Sequence, residues 1–310
     1  MLSRIAESMF WIGRYVERAD DTARILDVQT QLMLEDPMVV TATCRTLLSI
    51  MGVPYDDEAA LTRTRILEML AYDTTQPASI ASALGAARES ARRARETLSE
   101  PLWEAVNTTW RALPSGRFRT LNPPAALGWV RDRAALISGT AEATMTRDEG
   151  YQFLVLGRSI ERADMTARLV ATAALTGSTA ASAWTSTLRA CGAYEAFLRT
   201  YRGLETDRAA AEFLLLDRLF PRSIVHSITR AESCLDNLES SNQRTGFQND
   251  AQRLLGRTRA DLEYRTLADV VAQLPAEMER LQHTCAAATE SVTRRYFAGA
   301  EATSWQGGTL

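Results

Sequence analysis

Lysine is missing from this 310-residue chain, and all 35 of its basic residues are arginine. That absence excludes a phosphate loop ending in Gly-Lys-Ser/Thr, a lysine Schiff base and a lysine-assisted nucleotide-ligase site. Histidine is nearly missing too. His226 and His283 stand far apart, and neither belongs to a Glu-x-x-His pair of the di-iron bundle type. A histidine-rich zinc site is excluded by count. The four cysteines, Cys44, Cys191, Cys234 and Cys285, form no Cys-x-x-Cys pair. They read as scattered reduced thiols on the helices of a cytoplasmic protein. No stretch approaches 18 consecutive apolar residues, so no membrane span is expected. The first residues lack the apolar core and cleavage site of a secretory signal. A net charge of −3 and a pI near 5.7 offer no electrostatic case for nucleic acid.

What is present is apolar residue at 46% and charge at 24%, the balance of a globular chain. Alanine, leucine, arginine, threonine and glutamate dominate, β-branched runs are short, and no period-2 alternation is long enough for a strand. The expected class is all-α, a bundle of about ten helices. The first helix runs from Ser3 to Leu34, and Asp36-Pro37 caps a second that reaches Gly52. Further helices are expected over Asp56–Tyr72, from Pro77 to Leu98, from Ser99 to Trp110 and from Asn122 to Met145. The clearest loop lies between Leu113 and Pro124. A long helix then reaches Leu175, and Ser178 to Ala183 is a small-residue break. Helices over Ala183–Gly203, Asp207–Leu219, Pro221–Leu238, Asp250–Leu262 and Leu267–Phe297 complete the chain. The organisation expected is one domain over residues 1–298, in halves of about 1–145 and 146–298, with a flexible tail at 299–310.

Two distant segments match. Met9–Val28 reads MFWIGRYVERADDTARILDV and Phe153–Thr172 reads FLVLGRSIERADMTARLVAT. The offset is constant at 144, from 13 to 157, 17 to 161 and 24 to 168. The shared pattern, Gly-Arg-x-x-Glu-Arg-Ala-Asp-x-Thr-Ala-Arg, implies two equivalent helices. At about 100° per residue, Ile12, Tyr15, Val16, Ala19, Ala23 and Leu26 gather on one side. Gly13, Glu17, Asp20 and Arg24 line the other, flanked by Arg14, Arg18 and Asp21. In the second copy Leu156, Ile160, Ala163 and Ala167 oppose Gly157, Glu161, Asp164 and Arg168. Asp20–Arg24 and Asp164–Arg168 have the favourable acid-before-base i,i+4 spacing. A solvated face of helix salt bridges would explain the charges but not the glycines, each of which costs roughly 0.8–1 kcal/mol in a helix interior. Gly13 and Gly157 therefore point to close helix packing, and the stripes to a buried ion network between the two helices.

Several stretches carry a resemblance: Leu2-Ser3-Arg4-Ile5-Ala6-Glu7 with Trp11-Ile12-Gly13-Arg14-Tyr15-Val16-Glu17-Arg18-Ala19; Ala87-Arg88-Glu89-Ser90-Ala91-Arg92; Thr144-Met145-Thr146-Arg147-Asp148-Glu149-Gly150; and Phe213-Leu214-Leu215-Leu216-Asp217 with Phe220-Pro221-Arg222-Ser223. Over almost its whole length the chain resembles the bacterial alpha-E family, a helical domain with Glu-Arg motifs and long a domain of unknown function. The resemblance implies a neighbouring or fused ATP-grasp protein of the carboxylate–amine ligase kind, and a place in peptide synthesis or modification.

The expected function is thus a non-catalytic helical partner or substrate-binding subunit of such a ligase system. The alternative is an enzyme acting on a peptide or amino acid through the Glu/Arg/Asp cluster. The expected site comprises Arg14, Glu17, Arg18, Asp20 and Arg24 with Arg158, Glu161, Arg162, Asp164 and Arg168, as a ligand-binding or structural ion network. The arginines could fork onto carboxylate or phosphate groups, and peptide carboxylates suit the ligase context. No catalytic residue is assigned and no cofactor or metal is expected. An all-carboxylate Mg²⁺ or Mn²⁺ site of Glu17, Asp20, Glu161 and Asp164 is opposed by the interleaved arginines. The partners expected are the ligase-like protein, a peptide or amino-acid ligand and a second copy of the chain, with no nucleic acid and no membrane.

Overall fold

Apolar residues on one side of the first repeat segment and none of the helix breakers beyond glycine allow one uninterrupted helix of 33 residues. It is helix α1, Ser3–Glu35, of a computed structural model that describes residues 1–56, 60–176, 182–203, 206–239, 246–247 and 249–297. Among these residues there is no strand, so the class is all-α. The chain divides into two compact units, Met1–Leu154 and a second beginning at Val155.

In the first unit α1 leads through a 3-10 turn at Pro37–Val39 to α2, Val40–Ile50. Asp36 accepts the Met38 N–H at 2.9 Å, with Pro37 at the first helical position, as its sequence requires. Then come α3, Arg63–Leu67, closed by a π-helical turn at Glu68–Tyr72, then α4, Ile80–Arg93, and α5, Glu100–Arg111. A short α6, Arg117–Thr120, precedes α7, Pro123–Thr144. Helix α1 packs on α4 and α7, and α5 bridges those two. The core of this unit is therefore built around α1, whose Met9, Phe10, Ala19, Ala23 and Leu26 are fully buried.

The second unit takes most of α8, Glu149–Thr176, followed by α9, Ser182–Ala190, and α10, Tyr194–Thr200. It continues with α11, Asp207–Leu216; α12, Ile224–Leu238; α13, Asp250–Tyr264; α14, Leu267–Ala272; and α15, Leu274–Tyr296. Helix α13 packs on both α12 and α15, as α5 does on α4 and α7.

Fifteen α-helices stand among the described residues, more than the bundle of about ten expected; three of them beyond the twelve spans read from the sequence come from features that periodicity does not register. Gly192, at φ 61°, ends α9 and splits the expected Ala183–Gly203 helix. Gln273, at φ −129° and ψ 33°, separates α14 from α15, which starts Leu274-Pro275. Inside the expected Leu113–Pro124 loop, Gly116 at φ 77° opens α6. Thr62 accepts the Arg65 N–H, so α3 begins there and not at Asp56. The tail at 299–310 and most of the expected small-residue break lie outside the described residues.

The duplication reaches well beyond the Glu-Arg helices. Thr62 and Thr206, 144 apart, both cap helices. Between α3 and α4 the Asp73 carboxylate accepts the Thr75 N–H at 2.7 Å; 144 residues on, Asp217 accepts the Leu219 N–H at 2.8 Å. Ser79 donates its hydroxyl hydrogen to the Asp73 carbonyl while accepting the Ser82 N–H; Ser223 does the same with the Asp217 carbonyl and the His226 N–H. Pro77 and Pro221 occupy the same place in each loop. Because the two serines are fully buried and make identical bonds, Ser79→Ala and Ser223→Ala should each cost about 0.5–2 kcal/mol in urea unfolding, and about equally. A loss confined to one of them would mean that the loops are not equivalent.

Candidate functional site

The stripe residues of α1 are held by a helix that is buried almost all round. Arg14, Glu17, Asp20 and Asp21 are each at most 6% exposed, and Gly13 is buried with them. The Arg14 guanidinium lies 5.6 Å from the Trp11 ring centroid and 6.0 Å from that of Phe10; Arg18, half-buried, lies 5.7 Å from Tyr15. Such contacts suit a planar cation taken out of water. Arg24 donates from Nε to Asp20 at 3.0 Å, closing the i,i+4 pair that the spacing implies.

Glu17, Asp20 and Asp21, at i, i+3 and i+4, each turn a carboxylate oxygen toward the others, all within 4.8 Å. Three buried oxygens that close could hold a hard cation on geometry. The carboxylate set expected from the sequence, Glu17, Asp20, Glu161 and Asp164, does not include Asp21, which stands there as a flank. Its place on the same helical face, one turn after Glu17, is the signal that would have included it.

In the second unit Glu161, Asp164 and Arg168 are at most 1% exposed, and Gly157 is buried. Arg168 Nε donates to Asp164 at 3.0 Å. Arg162 and Thr166, one turn apart, reach a different element: Arg162 donates to the Pro221 carbonyl at 3.3 Å and Thr166 to the Arg222 carbonyl at 3.0 Å. The Glu-Arg helix therefore holds the loop between α11 and α12. In α1, Thr22 stands at the position of Thr166, yet its buried hydroxyl has no hydrogen-bond partner among the described residues. Arg158 is half-buried and adds a positive field at Cys234. Burial outweighs that field and pushes the Cys234 thiol up to about 11, so it is an inert thiol at neutral pH. All four cysteines are buried.

Two cavities open beside the loops. In the first unit a cavity of about 670 Å³ is walled by Tyr72, Trp110 and Phe118, with Glu89 and Arg119 among its polar groups. Glu89 sits below the usual carboxylate range because Arg92 donates to it, so it is ionised. Tyr72 is pushed up by burial, then by the charge of Glu68. In the second unit a cavity of about 480 Å³ has Arg218, His226, Arg230 and Arg259 in its lining. His226 Nδ1 bonds the Arg218 carbonyl at 2.9 Å; a carbonyl can only accept, so Nδ1 carries the hydrogen and Nε2 is left for the cavity.

A duplicated helical scaffold with the Glu and Asp of a Glu-Arg-Ala-Asp run buried in each copy defines the class: an all-α repeat protein organised around its Glu-Arg helices. The chain belongs to the Alpha-E family, described as a predicted alpha-helical domain with a conserved ER motif, whose model matches residues 1–297. It is similar to uncharacterized proteins of Mycobacterium bovis and of two strains of Mycobacterium tuberculosis, 27% identical over 267 residues, covering 77% of this chain and 30% of each relative. The chain thus spans less than a third of the length of these relatives. No solved structure matches it significantly. None of its helices is long and apolar enough to cross a membrane, among the described residues.

Proposed function

We propose that this chain is a non-catalytic helical partner or substrate-binding subunit of an ATP-grasp, carboxylate–amine ligase system that makes or modifies peptides in the cytoplasm. The observation that carries the non-catalytic part is the burial of the stripe acids: Glu17, Asp20, Glu161 and Asp164 are at most 6% exposed and poorly placed to meet a diffusing substrate. Buried ion sets of this kind specify one arrangement of the chain in some proteins. The ligase context comes from the family resemblance. That the relatives are more than three times as long as the matched region fits a domain that works beside others.

The substrate-binding part rests on the open cavity of the first unit. Its aromatic walls suit an apolar side chain, and its ionised Glu89 suits a peptide amine. In a ligase assay reconstituted with the neighbouring ATP-grasp protein, full activity should require this chain, and the two should co-purify. Full ligase activity without it would end the proposal.

One observation favours the enzyme reading: the three buried carboxylate oxygens of Glu17, Asp20 and Asp21 within 4.8 Å. Turnover by the isolated chain, abolished by Glu17→Gln or Glu161→Gln with the fold intact, would establish it.

A further inference from the structure

The two cavities are built at the same places in the repeat. Five lining residues of the first, Thr74, Ser82, Gly85, Ala86 and Glu89, become Arg218, His226, Thr229, Arg230 and Ser233 in the second, each 144 residues on. One position belongs to the Asp–Ser loop and four to the helix that its serine caps. The backbone frame is therefore common to both, and only the chemistry differs. At these five positions the first unit carries one acid and no cation. The second carries two guanidinium groups, an imidazole and two hydroxyls, with no acid.

This comparison removes the simplest structural explanation for the cations. The first unit forms the same loop and the same capped helix with threonine, serine and alanine at those positions, so the scaffold does not need arginine or histidine there. Arg218 is 75% exposed in its side chain and Arg230 is exposed, so neither fills the core. Bringing like charges to one concave surface is unfavourable unless something anionic joins them.

The wall across from α12 adds Arg259, from α13. Its Nη1 bonds Glu263 at 2.7 Å and its Nε bonds Glu232 at 2.5 Å, which orients the guanidinium. Arg218 Nη2 meets Glu263 at 2.7 Å. Glu263 and Glu232 thus answer Arg218 and Arg259, whereas Arg230 has no carboxylate partner among the described residues. Tyr264, 87% exposed at the rim, leaves an aromatic face in water.

We propose that the second-unit cavity binds a phosphate monoester or diphosphate. A carboxylate offers one charge and two oxygens to such a surface. A phosphoryl group offers two charges and three oxygens to guanidinium forks of fixed geometry. Nε2 of His226 and the Thr229 and Ser233 hydroxyls complete the polar surface. About 480 Å³ leaves room for an organic group beside the phosphate, with the Tyr264 ring as its platform.

Isothermal titration of the full chain with pyrophosphate, phenyl phosphate and citrate tests this. Pyrophosphate and phenyl phosphate should saturate with Kd of about 1 mM or tighter. The Arg218→Ala/Arg230→Ala variant should bind them at least about tenfold more weakly, with unchanged circular dichroism, because both side chains are exposed. Arg65→Ala, at an exposed arginine of the first unit outside both cavities, should leave binding as it is. Failure to saturate in the wild-type chain, equal affinity in the double variant, loss of binding in Arg65→Ala, or citrate binding as tightly as pyrophosphate would each overturn the proposal.

Discussion

Asp164→Ala should lower stability by about 3–5 kcal/mol, whereas Asp20→Ala, the same change in the same motif 144 residues earlier, should cost about 1 kcal/mol or less. Both acids accept from an arginine Nε four residues on at 3.0 Å. The difference lies in what each arginine can do when its acid is gone. The side chains of Arg168 and Asp164 are each 2% exposed, so Arg168 keeps a desolvated charge with one bond fewer. Arg24 is 25% exposed and can turn its guanidinium to water. Asp20 also lies within 4.8 Å of Glu17 and Asp21, so its removal relieves repulsion among like charges. Urea unfolding of the two variants measures both. Adding Arg168→Met to Asp164→Ala should recover part of the loss, because the charge left behind is what costs most. Equal losses at Asp20 and Asp164 would mean that depth is not what separates the pairs.

Phe213→Ala is the second large effect, expected at about 3–5 kcal/mol. Phe213 is 2% exposed and its ring centroid lies 5.8 Å from Phe197, 6.3 Å from Tyr201 and 5.0 Å from Phe220. The first two contacts are edge-on, which adds to simple area burial. Burial, more than the nearby charges of Glu212 and Asp217, pushes the Tyr201 phenol up to about 12. With Phe213 truncated, water reaches that phenol and its titration should move down toward the ordinary value of about 10, as followed by ultraviolet absorbance. The same variant loosens Phe220 and with it the loop that carries Arg218. An unchanged Tyr201 titration would show that the cavity had collapsed dry.

The helices were legible where their signals are local. Asp36-Pro37, Ser99-Glu100-Pro101 and Asn122-Pro123 each start a helix in the structure as their side chains and fixed proline φ require. The segments that were read as one helix and are two, at Gly192 and Gln273, break through backbone conformations that apolar periodicity does not encode. The stripe residues were legible as a set because a duplicated pattern cannot arise from propensity alone. The cavities were not. Their residues are ordinary ones, Thr74 or Arg230, and they meet only after a loop and two helices fold together. The constant offset was the one signal that could have exposed them: carried forward to Asp73, Pro77 and Ser79, it lands on Asp217, Pro221 and Ser223.

The amino-acid order alone determined the all-α class, the places where most helices start and the existence of two Glu-Arg helices, since caps, proline positions and 3.6-residue periodicity act within a few residues of chain. Tertiary structure alone decided how deep each copy of the stripe lies and which charged side chains converge on an open surface. Burial and convergence depend on what packs against a helix from far along the chain, so one motif yields a half-open ion pair in α1 and a sealed one in α8.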